Sequence, residues 1–167
     1  MKFTYQTSRL SVVEIFSDTQ DTDVLVAITE LLSPKVVVNL PPYFQKIDSI
    51  LGAQNWLKKM LSDSRLFMVK YRDSNTIIGF VFVYVGDNLN AHIGYLLGES
   101  HWGKGYATEL LVGLIDFIKH ENEIKLLIAG VSPDNIVSSK LLSKLGFVES
   151  VSENNKTIFY EYRLLQT

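Results

Sequence analysis

The 167 residues carry a formal net charge of −2 and are 47% hydrophobic, which gives enough apolar material for one core and none of the basic excess of a nucleic-acid binder. There is no cysteine, which excludes a disulfide framework, a cysteine-ligated zinc site and any covalent intermediate on a thiol of the chain itself. No run reaches the ~18 apolar residues of a membrane span and residues 1–6 lack a signal-peptide core, so the expectation is one soluble, cytoplasmic domain over residues 1–167, with no metal, membrane or nucleic-acid partner.

Residues 10–16, Leu-Ser-Val-Val-Glu-Ile-Phe, are β-branched and aromatic and predict a first strand. The polar residues 17–22 can cap a helix over residues 23–32, where Val24, Leu25, Ile28, Leu31 and Leu32 recur at helical spacing until Ser33-Pro34. Residues 36–44 are apolar but hold Pro41 and Pro42, so they predict an irregular loop. A second helix is expected over residues 49–62, with Ile50, Ala53, Trp56, Leu57, Met60 and Leu61 on one face. Strands follow over residues 66–71, 76–85 and 91–97, joined by the polar turns 72–75 and 86–88, which implies an antiparallel meander. From Ala107 the period changes: Leu110, Leu111, Leu114, Ile115 and Ile118 lay a wide apolar stripe along a helix. A short strand over residues 125–131 closes a right-handed crossover, so it should lie parallel to the strand at 91–97. A last helix carries Ile136, Leu141, Leu142 and Leu145 and ends at Gly146, and residues 147–151 and 157–164 predict a closing hairpin.

The chemistry concentrates in residues 101–109, His-Trp-Gly-Lys-Gly-Tyr-Ala-Thr-Glu, between the third meander strand and the amphipathic helix. Two glycines in three residues let backbone amides approach a ligand, and the helix behind adds free N–H groups and roughly half a positive charge. Such a turn holds an anion, most often a phosphate. It is not a Walker loop, which needs four residues between its glycines and then Gly-Lys-Ser/Thr, and it lacks the third glycine of a dinucleotide fingerprint, which would fall at Thr108.

Residues 102–109 together with residues 135–147, Asn-Ile-Val-Ser-Ser-Lys-Leu-Leu-Ser-Lys-Leu-Gly-Phe, resemble the GNAT superfamily of N-acetyltransferases. Thr7-Ser8-Arg9-Leu10, the helical pair before the central strands and Ile93-Gly94-Tyr95 are similar to the branch of the ribosomal-protein N-terminal acetyltransferases. The resemblance spans nearly the whole chain. It implies the acyl-CoA N-acyltransferase fold, an α/β (α+β) arrangement with a mixed, mostly antiparallel twisted sheet of about seven strands and about four helices. It also implies acetyl-CoA as cosubstrate and a small amine or a protein N-terminus as acceptor, with room for a homodimer.

The family loop, Gln/Arg-x-x-Gly-x-Gly/Ala, lays Trp102 on its first position, Gly105 on its fourth and Ala107 on its last. The resemblance then gives the backbone amides of Gly103, Lys104, Gly105, Tyr106, Ala107 and Thr108 to the coenzyme pyrophosphate, and the backbone of Tyr95, Leu96 and Leu97 to the pantetheine arm as an added strand. Lys104 and the neighbouring His101 could add contacts to phosphates through their side chains. Asn135 is an ordinary helix cap, and in the family the matching Asn also bonds the coenzyme arm. Gly146-Phe147 is a helix stop followed by a core aromatic.

Acetyl transfer to an amine needs an unprotonated nitrogen, a polarised carbonyl and a protonated leaving thiolate. With no cysteine, direct attack of the amine on the thioester is the natural route, with a backbone N–H near Leu97 as oxyanion donor. Many family members place a Tyr seven residues after the Asn; here that position is Leu142. The resembled branch instead has a Ser three residues after it, which is Ser138, with Ser139 adjacent. His92 and Glu99 are candidates for the general base by position, and water is the alternative. Tyr43, Phe44 and the proline pair offer an apolar wall for an acceptor, or packing for the helices. Without an acidic cluster, the acceptor side leans away from a polyamine or antibiotic and toward a protein N-terminus. A non-catalytic acyl-CoA-binding or regulatory domain is the rival reading.

Overall fold

Inward-facing residues alternate along the strands and repeat at helical spacing along the helices, and the computed structural model, which describes residues 4–16, 21–121, 123–150 and 156–164, shows what those two periods build. The chain runs β1 (Tyr5–Gln6), β2 (Leu10–Ile15), α1 (Thr22–Leu31), the single turn α2 (Pro34–Val37), a 3-10 turn (Pro42–Phe44), α3 (Ile50–Asp63), β3 (Arg65–Tyr71), β4 (Ile77–Val85), β5 (Asn90–Leu97), a 3-10 turn (Glu99–His101), α4 (Tyr106–Glu121), β6 (Leu126–Val131), α5 (Ile136–Lys144), β7 (Val148–Ser150) and β8 (Ile158–Arg163). The polar residues 17–20, the turn residues 153–155 and the end of the expected strand at Val151 lie outside the described residues.

The eight strands form one sheet in the order β1-β2-β3-β4-β5-β6-β8-β7. Every pairing is antiparallel except β5 with β6, the strands joined by the α4 crossover. The expected meander and parallel unit are both present. The eighth strand is the two-residue β1, and the fifth helix is α2, which takes in only residues 36–37 of the irregular loop expected at 36–44; residues 38–41 are irregular as expected and residues 42–44 form the 3-10 turn. Pro34 opens α2 at its first turn, where a missing N–H costs nothing, and Val37 fixes the turn by burying 99% of its surface.

Each face of the sheet carries its own core. On one face Leu110, Leu111, Leu114, Ile115 and Ile118 of α4, with Leu142 of α5, pack on Leu10, Val12, Phe67, Val69, Val81, Val83, Ala91 and Ile93. On the other, Val24, Leu25 and Ile28 of α1 and Ala53, Trp56, Leu57 and Met60 of α3 pack on Val13, Ile15, Leu66, Met68, Phe80 and Leu96. Central strands covered on both faces need apolar residues at every position, which is why β3 and β4 read as continuous apolar runs. Phe44 belongs to this second core, edge-on to Trp56 and tilted against Phe82.

The parallel pairing of β5 and β6 is short. It joins Asn90, Ala91 and His92 to Leu126, Leu127 and Ile128, and β5 runs on to Leu97 without that partner. The sheet therefore opens along the last part of β5. Antiparallel strands point their backbone groups alternately to either neighbour. Gly98 N–H donates to Ile78 O, so Leu96 and Gly94 turn to β4 and the intervening Leu97 and Tyr95 turn their backbone groups into the gap.

Candidate active site

At the open end of β5 the chain makes a 3-10 turn and then enters α4 through Gly103 (φ +70°) and Gly105 (φ +81°). Both lie in the left-handed region. A Cβ at Gly103 would meet nothing within 4 Å, so backbone conformation rather than space calls for glycine there. The first helical bond is Glu109 N–H to Gly105 O. The N–H groups of Gly103, Lys104, Gly105, Tyr106, Ala107 and Thr108 donate to no acceptor among the described residues. Six free amides at the head of a 16-residue helix form an anion cradle.

Long-range contacts hold the cradle. Glu109 accepts from the Thr7 hydroxyl at 2.5 Å, from Arg9 N–H at 2.7 Å and from Arg9 Nε at 2.6 Å. Burial acts to raise the Glu109 carboxyl, but these three donors and the Arg9 charge outweigh it and hold the group below its ordinary value. Arg9 also donates to the Lys104 carbonyl at 2.9 Å and lies 4.3 Å over the Tyr106 ring. Trp102 donates its indole N–H to Leu97 O at 2.8 Å, so this side chain ties the loop to β5 where Gln or Arg was expected. His101 Nδ1 meets the Tyr71 hydroxyl at 2.7 Å, and burial, with Lys104 nearby, lowers its pKa.

The far wall comes from α5. Asn135 caps that helix by accepting Ser138 N–H at 3.2 Å, and the Ser138 hydroxyl stands 3.1 Å from the Tyr95 hydroxyl across the gap. Burial raises the Tyr95 phenol, and the Ser138 contact works against that rise. The helix ends in a Schellman motif: Gly146 (φ +96°) donates to Ser143 O and Phe147 donates to Leu142 O, with Leu142 and Phe147 both buried. The third wall is α2 and the residues after it, with Gln45 Nε2 donating to the carbonyls of Val37 and Leu40 and Lys35 pairing with Glu99 at 2.6 Å.

These walls enclose one cleft of about 990 Å³. Of the residues expected from sequence, Tyr95, Leu96, Leu97, Gly103, Gly105, Tyr106, Ala107, Thr108, Asn135 and Ser138 all line it. Lys104 does not line it; its ammonium donates to Ser100 O at 2.8 Å. Neither positional base candidate lines it either. Glu99 is occupied by Lys35, and His92 lies in a separate cleft of about 490 Å³ with Tyr43, Asp63 and Tyr84. Of the two roles open to Tyr43 and Phe44, acceptor wall or helix packing, Phe44 takes the second, buried against Trp56 of α3, and neither residue lines the cleft. Pro34, Val36, Val38, Asn39 and Leu40 form that side, and Ile136, expected on the apolar face of α5, is 59% exposed beside it.

The cleft has the parts a long phosphate-bearing thioester needs: an anion cradle, an unpaired strand edge and a hydroxyl pair. The model of the acetyltransferase (GNAT) domain matches residues 13–148. The chain belongs to the GNAT family. Among curated GNAT relatives it is 37% identical over 83 residues to the uncharacterized N-acetyltransferase p20 of Bacillus licheniformis, covering 48% of this chain and 47% of that one. It is 39% identical over 69 residues to the probable N-acetyltransferase YjcK of Bacillus subtilis, covering 41% and 38%. The chain thus matches less than half the length of each. The fold is similar to that of RimL, a ribosomal L7/L12 alpha-N-protein acetyltransferase solved in complex with coenzyme A, with a TM-score of 0.81 at 15% identity over 99% of this chain and 100% of that one. It is also similar to the spermidine N-acetyltransferase SpeG of Vibrio cholerae, with a TM-score of 0.72 at 17% identity over 94% and 95%.

Proposed function

We propose that this GNAT protein transfers the acetyl group of acetyl-CoA directly to a primary amine, with a protein N-terminal α-amine as the favoured acceptor. The observation that carries the reading is the meeting, in one cleft, of six free amides at the head of α4 with the unpaired edge of β5. The amides of residues 103–108 would hold the pyrophosphate, and the open-edge backbone groups of Tyr95 and Leu97 the pantetheine arm, as an added strand is held; Leu96, expected with them, turns its backbone groups to β4 instead. Leu97 N–H, turned into the gap, is placed to receive the carbonyl oxygen as negative charge develops on it. Ser138, fixed by the Asn135 cap, is placed to hand a proton to the leaving sulfur.

The acceptor preference follows from what the cleft offers a nitrogen. Asp134 is the one carboxylate among its described lining residues, and its rim is apolar, with Val36, Val38, Leu40, Ile136 and Val137. An α-amine with a pKa near ~8 needs far less help to lose its proton than a lysine-like amine near ~10.4. A polycation would find little opposing charge. RimL and SpeG act on a protein N-terminus and on spermidine, so the fold by itself leaves both acceptor classes open.

Thiol release from acetyl-CoA, followed over a panel of N-terminal peptides, lysine-like amines and spermidine, tests the reading. Peptide-dependent release is the expected result. Tight acetyl-CoA binding with no turnover on any acceptor would replace the enzyme by a coenzyme-binding regulatory domain, and release with spermidine alone would move the acceptor to polyamines.

A further inference from the structure

The proposed transfer leaves one step without an adequate acid. As the C–S bond breaks, the electron pair moves to sulfur, and a serine hydroxyl is a poor ultimate source of the proton because its oxygen would be left as an alkoxide. In this chain the position seven residues after the Asn135 cap cannot supply a better one. It is Leu142, 99% buried in the core against Phe147 and absent from the cleft lining. The acid has to come from another element.

β5 provides one. Tyr95 follows the alternation of Ala91 and Ile93, so its side chain stands on the α5 face of the sheet. Its hydroxyl lies 3.1 Å from Ser138 Oγ, and both residues line the cleft. The Asn135 carboxamide holds Ser138 N–H and fixes the first turn of α5, so the serine is presented to the tyrosine by a capped helix and not by a loop. We infer that Tyr95 is a positioning residue that supplies, through Ser138, the proton taken up by the leaving thiolate.

The inference rests on the proposed acetyl transfer, and its steps balance. The amine lone pair forms the C–N bond, the C–S bond breaks, and sulfur takes the Ser138 proton. Ser138 oxygen takes the Tyr95 proton, and the phenolate is reprotonated, through water in the cleft, by the proton the nitrogen loses. The products are the amide and the free coenzyme thiol. Either hydroxyl can donate across this 3.1 Å contact; in the transfer the phenol is the donor, which leaves the serine hydroxyl free to point its own proton at sulfur. Tyr95 thus has two independent duties: its backbone lies on the open strand edge and its side chain reaches the other wall.

Three variants test this: Tyr95→Phe, Ser138→Ala and the double variant. With the best peptide from the panel, each single variant is expected to lose about 100-fold in kcat while KM for acetyl-CoA stays within about twofold. The double variant should fall no further, because one proton route has been cut at two points. An acceptor-independent readout uses coenzyme A alone: ultraviolet titration of the bound thiol in the full-length protein. Hydroxyls aimed at sulfur favour the thiolate, so the bound thiol should titrate roughly one pH unit lower in the wild type than in Tyr95→Phe. An unchanged kcat or an unchanged thiol titration in Tyr95→Phe would overturn the inference and leave acetyl transfer standing. Failure of the wild type to bind coenzyme A would remove the proposed transfer and this inference together.

Discussion

Glu109 gathers the Thr7 hydroxyl, the Arg9 amide and the Arg9 guanidinium onto one carboxylate at the first turn of α4. Its folded-state pKa lies below the ordinary carboxylate value, so its contribution to stability is present above the unfolded pKa near ~4.3 and disappears as pH falls through the lower folded value. Glu109→Gln should lower Tm at neutral pH by roughly 5 °C, since it weakens three charge-assisted hydrogen bonds. In thermal melts from pH 7 down to pH 2 the gap between the two proteins should close on the acid side; a gap constant with pH would contradict the sign of the shift. Gly105 tests the neighbouring cradle. Gly105→Glu puts a side chain at φ +81° and a negative charge where an anion is to bind, so acetyl-CoA affinity measured by calorimetry should drop at least about tenfold. Unchanged affinity would detach the loop from the coenzyme.

At the scale of elements, α5 decides which of its residues reach the cleft. The helix is capped by Asn135 and closed by the Schellman turn at Gly146, which fixes its rotation so that Ser138 faces the cleft and Leu142 faces the core. Gly146→Ala should cost about 1 kcal/mol in denaturant unfolding, because an L side chain disfavours φ +96°. Leu142→Tyr separates a core role from an active-site one. Overpacking should destabilise the fold by about 1–3 kcal/mol and the new hydroxyl should give no gain in kcat; a rate increase with unchanged Tm would show that position 142 reaches the reacting atoms. α2 shows what the prolines concealed. Pro34 reads as a stop when it follows an apolar run, yet at the first position of a helix it is a start, and buried Val37 then turns Val36 and Val38 to the cleft.

Across the whole molecule, what could be read from the chain was what depends on neighbours in sequence. The glycine turn, the Asn135 cap, the crossover that makes β5 and β6 parallel and the apolar stripe of α4 are local patterns, and each stands where the sequence predicts it, whereas Ile50 and Ile136, read as parts of apolar helix faces, are exposed. The remainder depends on residues brought together by the sheet. Tyr95 and Ser138 are 43 positions apart, and Arg9 and Glu109 are 100 apart. A strand pattern shows that Tyr95 alternates with its neighbours and says nothing of what its hydroxyl touches. The same limit left Phe44 open between an acceptor wall and helix packing, while the Trp102 bond to Leu97 spans only five positions and depends on where the indole points, which a motif does not show. Binding should be visible globally: acetyl-CoA at about 100 times its Kd should add about 2.7 kcal/mol and raise Tm by several degrees.

The most direct test of the account is a crystal structure of the protein with acetyl-CoA bound. The predicted result is a pyrophosphate on the amides of Gly103 to Thr108, the pantetheine arm along the open edge of β5 at Tyr95 and Leu97, and the thioester sulfur within hydrogen-bond reach of Ser138 Oγ. A pyrophosphate held elsewhere, or a thioester on the far side of β5 from Ser138, would contradict it.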